Sequence, residues 1–307
     1  MPMCKKPLFL PGRIGAIFNV IFYIIQNRQI FSKLEFVKSK QMSGAWLPFL
    51  ISQFFNAKFI FRFGFNLLEF NDLKKIFFFR KLWNKFLVNI YLKFCYRIIG
   101  TVQLKYSKYN SKFILQENWI DVGLFQISKK KRLRQLQLNR KYLTIARLEE
   151  QKNILFIIKV LGKLNKKLVI IGEGTQKKNL KNFVKKNKFD IKFLGQVSYD
   201  EIIKNCKKYI FYISGSKFEG NPKSIIEAMA AGMICILPNV VGISNLVVHE
   251  KNGFLYNGEE KSLIKLILKI NSMSPKNLSK ISEKAKNIAN KRFNIQVALK
   301  KEQDIYV

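Results

Sequence analysis

Two glutamates, Glu219 and Glu227, stand eight residues apart in EGNPKSIIEAMAAG (219–232), with a Gly220-Asn221-Pro222 turn after the first. The chain carries 56 Lys and Arg against 19 Asp and Glu, so two carboxylates at the mouth of a helix need a chemical reason. A carboxylate accepts two hydrogen bonds from a cis-diol, which suits Glu227 to a ribose and Glu219 to a sugar hydroxyl. Pro222 has no N–H, so the free donors of the first helical turn come from Lys223, Ser224 and Ile225. Such a terminus carries roughly half a positive charge and suits a phosphate. Arg147 and Lys152, in ARLEEQKN (146–153), add two fixed cations. Together with a helix N-terminus they hold a diphosphate without a metal ion. Each residue also has a plainer reading: Glu219 as a solvated loop residue, Glu227 as a first-turn glutamate favoured by the helix dipole, Arg147 and Lys152 as surface charge. Their coincidence at four strand-to-helix junctions favours the site. A glycosidase-like acid and base pair also uses two carboxylates, but a cationic crevice suits it poorly.

The elements that must position these residues are legible from residue 140 onward. Strand-like runs at 141–146, 167–172, 191–195, 209–214, 233–238 and 253–256 alternate with helical spacing at 153–164, 175–186 and 199–206. A further helix runs from 223, and a short one is expected near 243–248. Helices near 259–271, 275–290 and 294–306 close the chain. Alternation of this kind predicts βαβ units and a doubly wound parallel sheet, whose ligands bind outside the carboxyl ends of the strands. There Gly172 of GEG (172–174) shares a crevice with Arg147, Lys152 and Glu219. The first 127 residues repeat the rhythm less clearly. Helices are expected at 14–27, 44–56 and 72–97, and strands at 34–38, 58–62, 98–103 and 112–117. The cationic stretch SKKKRLRQLQLNRK (128–141) reads as a linker. The domain reading is therefore 1–127, a linker at 128–139, a second domain at 140–290 and a terminal helix at 291–307.

At 307 residues and 48% hydrophobic content, the chain suits two globular domains. Its net charge of +37 fits a compositional bias toward lysine, an anionic membrane surface or a nucleic acid. Cys4, Cys95, Cys206 and Cys235 form no CxxC pair, and His249 is the one histidine, which argues against zinc and disulfides and for a reducing compartment. The apolar run IGAIFNVIFYII (14–25) is too short to span a bilayer. In KKIFFFRKLWNKFLVNIYLKF (74–94), Lys and Arg interleave with aromatics. This segment fits a docking face for anionic lipid, a surface on which bases stack, or a long helix packing the core.

The spacing Glu219-x7-Glu227 within SKFEGNPKSIIEAMAAG, together with ARLEEQKN, VIIGEG, FLGQV and NGFLY, resembles glycosyltransferase family 4, also called group 1. The match runs in order from about 140 to 258. It extends more loosely through FILQENWIDVGLF (113–125), SKQMSGAW (39–46), FRFGF (61–65) and the final FNIQVALKKEQDIY. The resemblance implies an α/β fold of GT-B type, two Rossmann-like doubly wound parallel-sheet domains, with the first incomplete. It implies a retaining, metal-independent transfer of sugar from a nucleoside-diphosphate donor, with no other cofactor. By position, Arg147 and Lys152 would neutralise the diphosphate, Glu227 would bind the ribose and Glu219 would orient the transferred sugar. The amides of Lys223 and Ser224 would face phosphate or sugar. Gly195 and Gln196 would lie by the base, and Gly172, Gly220 and Asn221 complete the donor set.

Three departures stand out. MPMCKKPLFLPGRIG offers no Gly-rich opening loop, so the start of the first domain is expected to be missing. Gln41 and Arg62 stand as candidates where relatives place a histidine, and Asn245 stands where a glutamate is common. The expectation is an enzyme of cell-surface glycan synthesis with a lipid-linked or oligosaccharide acceptor, cytoplasmic and peripheral at the inner membrane face. Two other readings stay open: a catalytically impaired nucleotide-sugar-binding remnant, and a basic nucleic-acid binder for which no recognition motif speaks.

Overall fold

A computed structural model describes residues 12–63, 78–101, 107–138 and 140–306. The chain divides into two compact units, the first running to Leu115 and including Tyr306, the second covering Gln116–Ile305. Residues 1–11, 64–65 of FRFGF, the first turns of the expected 72–97 helix and the end of the 98–103 strand lie outside the described residues.

The described part of the first unit is built on a parallel sheet of β1 (Phe36–Lys38), β2 (Lys58–Phe63), β3 (Arg97–Gly100) and β4 (Phe113–Leu115), in that spatial order. In β2, KFIFRF places Phe59, Phe61 and Phe63 at the two-residue period of a strand face. They meet Tyr91 and Leu92 of a helix at Phe78–Phe94 in one aromatic core. Other large apolar side chains stay exposed: Phe18, Phe22 and Ile25 on a helix at Gly12–Gln26, Phe54 on one at Trp46–Phe55, and Phe79, Trp83 and Phe86 on Phe78–Phe94.

The second unit holds a six-stranded parallel sheet. Its strands are β5 (Tyr142–Ile145), β6 (Leu168–Ile171), β7 (Ile191–Gly195), β8 (Phe211–Ile213), β9 (Ile234–Pro238) and β10 (Phe254–Tyr256), in the order β10-β9-β8-β5-β6-β7. The branched runs LVII and ICILP are buried along their whole length, as strands covered on both faces must be. The chain starts in the middle at β5, builds outward through β6 and β7, then returns to lay β8 on the other side of β5. That reversal between β5 and β8 opens a crevice at the carboxyl ends of the two strands. This is the doubly wound parallel fold that the alternating pattern predicts, with a smaller first sheet.

Three local expectations differ from the structure. The segment read as a linker, 128–139, lies within the second unit and holds a helix at Lys129–Leu138. Its Arg132 is 1% exposed and donates to the carbonyls of Tyr209 at 2.7 Å, Cys206 at 3.3 Å and Ala231 at 2.5 Å. This cationic run thus turns one guanidinium inward onto helix-end carbonyls, where five fixed donors are useful. The boundary between the units falls at Leu115/Gln116, ahead of 127, because Ile120, Val122 and Phe125 are buried in the second unit's core and Ile120 bridges to Asn294. The short helix expected near 243–248 is not formed: turns run to Leu246, and the Asn252 side chain takes up the Val248 amide at 2.7 Å and the Leu246 carbonyl at 3.0 Å.

Candidate functional site

At the carboxyl end of β5, a single 3-10 turn at Glu150–Lys152 carries the first cation, and Asn153 ends it in a left-handed conformation. This turn is laced to the loop after β8. The Gln151 side chain donates to the Phe218 carbonyl at 3.0 Å, and the Lys217 amide donates to the Gln151 carbonyl at 2.9 Å. The lacing delivers Lys152 Nζ to Glu219 Oε1 at 2.5 Å. Arg147 is exposed, and its side chain has no hydrogen-bond or ion-pair partner among the described residues. Lys152 and Glu219 are therefore brought together, while Arg147 stays open to a ligand.

Pro222 precedes a helix at Lys223–Ala230. Its missing N–H and fixed φ pre-set the turn. The Ile225 amide is spent on the Pro222 carbonyl at 3.1 Å, so the leading amides without an acceptor among the described residues are those of Lys223 and Ser224. That removes Ile225 from the expected donors and keeps the other two. The Ser224 hydroxyl lies 2.9 Å from the Tyr212 hydroxyl, which also donates to the Ile145 carbonyl at 3.3 Å. The tip of β5 and the head of the helix are thereby tied through one buried tyrosine.

Glu227, one turn into this helix, is 4% exposed. Burial pushes its carboxyl up to about 7, against the pull of the Lys223 ammonium and the Tyr199 hydroxyl. Lys223 Nζ sits 5.3 Å over the Tyr199 ring, so Tyr199 touches both the cation and the carboxylate of this helix. No metal-ligating group of three or more His, Cys, Asp or Glu exists among the described residues.

The glycines work through close approach. A Cβ on Gly172 would stand 1.9 Å from the Ala146 carbonyl, and one on Gly174 would stand 2.6 Å from that of Leu148. The Gly172 amide donates to the Gly195 carbonyl at 2.8 Å, which fastens the GEG loop to the end of β7 and the neighbouring Gln196. Gly220 and Asn221 lie in the turn ahead of the helix, and Asn221 is 8% exposed with its side chain engaged by residues 117–118.

Two contributors escape a sequence reading. Tyr199 follows the helix cap Ser198 and looks like any first-turn residue, so nothing in its spacing marks it. Gly242 supports Glu219 directly: the Glu219 amide donates to the Val241 carbonyl at 3.2 Å, and a Cβ at 242 would meet the Glu219 carbonyl at 2.0 Å. A glycine between apolar residues in a loop after a strand was its one available signal.

The family model for glycosyl transferases group 1 matches residues 126–288, more than half of the chain. The chain belongs to this family. Among curated members, an uncharacterized glycosyltransferase of Methanocaldococcus jannaschii is 31% identical over 106 residues, 34% of this chain and 30% of that protein. The UDP-Gal:α-D-GlcNAc-diphosphoundecaprenol α-1,3-galactosyltransferase of Escherichia coli is 28% identical over 141 residues, 45% of this chain and 36% of that one. Each match thus spans less than half the length of the curated relative. Among solved structures, Anabaena HepE in complex with UDP and glucose superimposes with a TM-score of 0.78 at 18% identity, covering 97% of this chain and 83% of that one. At that identity the likeness shows the fold alone, and the fold is GT-B: two parallel-sheet α/β domains.

Proposed function

We propose that the chain is a retaining, metal-independent glycosyltransferase of family 4 that moves a sugar from a nucleoside-diphosphate donor. The observation that carries this reading is the Lys152–Glu219 pair, set at the sheet's reversal point just ahead of the leading amides of Lys223 and Ser224. In this scheme Lys152, Arg147 and those amides take the diphosphate, Glu227 takes the ribose diol and Glu219 orients the transferred sugar. Gly172, Gly220, Gly195 and Gln196 frame the donor, the last two beside the base. As the bond from the anomeric carbon to phosphate oxygen breaks, the departing oxygen gains negative charge and accepts the proton of the incoming hydroxyl. Fixed cations and amides stabilise that charge without reorganising. Support comes from HepE, which binds UDP and glucose in the same fold.

A lipid-linked acceptor is proposed because the E. coli relative acts on a diphosphoundecaprenol-linked sugar by its name. Peripheral attachment at the cytoplasmic face of a membrane follows as part of the same proposal. Its support is the first unit's exposed Phe79, Trp83 and Phe86 and an apolar groove of about 560 Å³ lined by Ile21, Ile25, Leu50 and Phe54, with Arg28 its charged member. No helix among the described residues is long and apolar enough to cross a membrane.

The test is thermal shift of the full chain against UDP-, GDP- and ADP-sugars. One class is expected to stabilise it, and Glu227→Ala is expected to weaken that binding at least ~10-fold. No stabilisation by any donor, or an unaffected variant, overturns the reading.

A further inference from the structure

Glu219 sits on a short loop whose two flanks are held by one arginine outside the donor set. Arg292, the last residue of a helix at Pro275–Arg292, forks onto Glu117: Nε lies 2.7 Å from Oε2 and Nη2 lies 2.7 Å from Oε1. Its remaining nitrogen, Nη1, donates to the Asn245 carbonyl at 2.8 Å. Glu117 is the more enclosed partner, with its side chain 9% exposed. On one flank, Asn221 Nδ2 donates to Glu117 Oε1 at 3.4 Å, the Asn118 amide donates to Asn221 Oδ1 at 3.1 Å, and Asn118 Nδ2 donates to the Asn221 carbonyl. On the other flank stand residues 241–242, packed against the Glu219 backbone a few residues before Asn245.

We infer that Arg292, Glu117 and Asn118 are positioning residues that set where Glu219 points, by fastening residues 117–118 and the 240–245 loop around residues 219–221. None of the three touches Lys152 or Glu227, so their action on the site runs through the Asn221 amide and the Val241 carbonyl. The planar guanidinium suits this role because its fixed fork meets a carboxylate bidentately while its third nitrogen donates to a carbonyl, a geometry that the single nitrogen of an ammonium does not pre-organise. The consequence for activity rests on the proposed function, whereas the mechanical linkage does not.

Amide hydrogen exchange on the full chain tests it, comparing wild type with Arg292→Lys and Asn118→Ala. Exchange of the Glu219 amide, held on the Val241 carbonyl, is expected to speed up on the order of tenfold, since one net hydrogen bond of about 1.4 kcal/mol is a factor of ten in local opening. Arg292→Lys is also expected to loosen 241–245, while β6 and β9 keep wild-type protection. Unchanged exchange of the Glu219 amide in both variants, or a uniform rise across the second unit, overturns the inference. A parallel titration with UDP separates the two claims. Wild type that fails to bind it counts against a uridine donor and leaves the exchange result standing; where it binds and turns over a UDP-sugar, kcat is expected to fall more than KM rises in Arg292→Lys.

Discussion

Lys152 and Glu219 meet at 2.5 Å across 67 residues of chain, with side chains only 15% and 11% exposed. A carboxylate so sheltered from water depends on its cation. Breaking such a pair from one side costs about 3–5 kcal/mol, whereas removing both charges costs far less. Lys152→Met is therefore expected to lower the unfolding free energy by about 3 kcal/mol. Lys152→Met/Glu219→Gln should recover most of that in denaturant titrations, and equal losses in the single and double variants would refute the coupling.

Glu227 makes the second unit sensitive to pH in a direction opposite to most paired carboxylates. With its pKa raised from 4.5 to about 7, the folded chain keeps a proton that the unfolded chain has already released in that window. The stability this group lends is complete below 4.5 and is lost as pH rises toward 7, by about 3 kcal/mol in all. Glu227→Gln cannot ionise, so the unfolding free energy of the variant minus that of wild type should grow by about that amount between pH 4.5 and 8. A diol that donates to the carboxylate favours its ionised form, so affinity for a nucleotide sugar should climb through pH 7 in wild type and stay flat in the variant.

Arg132 anchors Lys129–Leu138 to three carbonyls at the ends of neighbouring helices. Arg132→Met leaves those carbonyls without a donor and is expected to cost about 3 kcal/mol or more. Arg132→Lys keeps the charge but not the fork, and it should restore little of that loss. Recovery of wild-type stability by lysine would show that charge alone matters there.

What the sequence disclosed and what it hid follow one division. Fully buried strands such as LVII and ICILP announce themselves because burial on both faces demands unbroken apolar runs. Residues whose work is local chemistry also stood out: the juxtaposition of Lys152 with Glu219 follows from the order of βα junctions. Arg132 and the 129–138 helix were opaque, since a buried guanidinium and a solvated one have the same letter and only the carbonyls at Cys206, Tyr209 and Ala231 tell them apart. Tyr199 and Gly242 were hidden for a related reason: each matters through a partner more than 20 residues distant, and no periodicity encodes that pairing. The Ile225 amide, expected to be free, is taken by a single 3.1 Å turn bond that no residue type announces.

The return of β8 to the middle of the sheet has a consequence for the chain while it is being made. At 5–20 residues per second, a ribosome releases the loop bearing Arg147 and Lys152 roughly 3–13 s before residue 219 emerges. Until then Lys152 has no Glu219 to meet across the crevice. On the proposed function, the capacity to hold a sugar nucleotide would arrive in one step, late in translation, and a nascent polypeptide arrested before that loop would be blind to it.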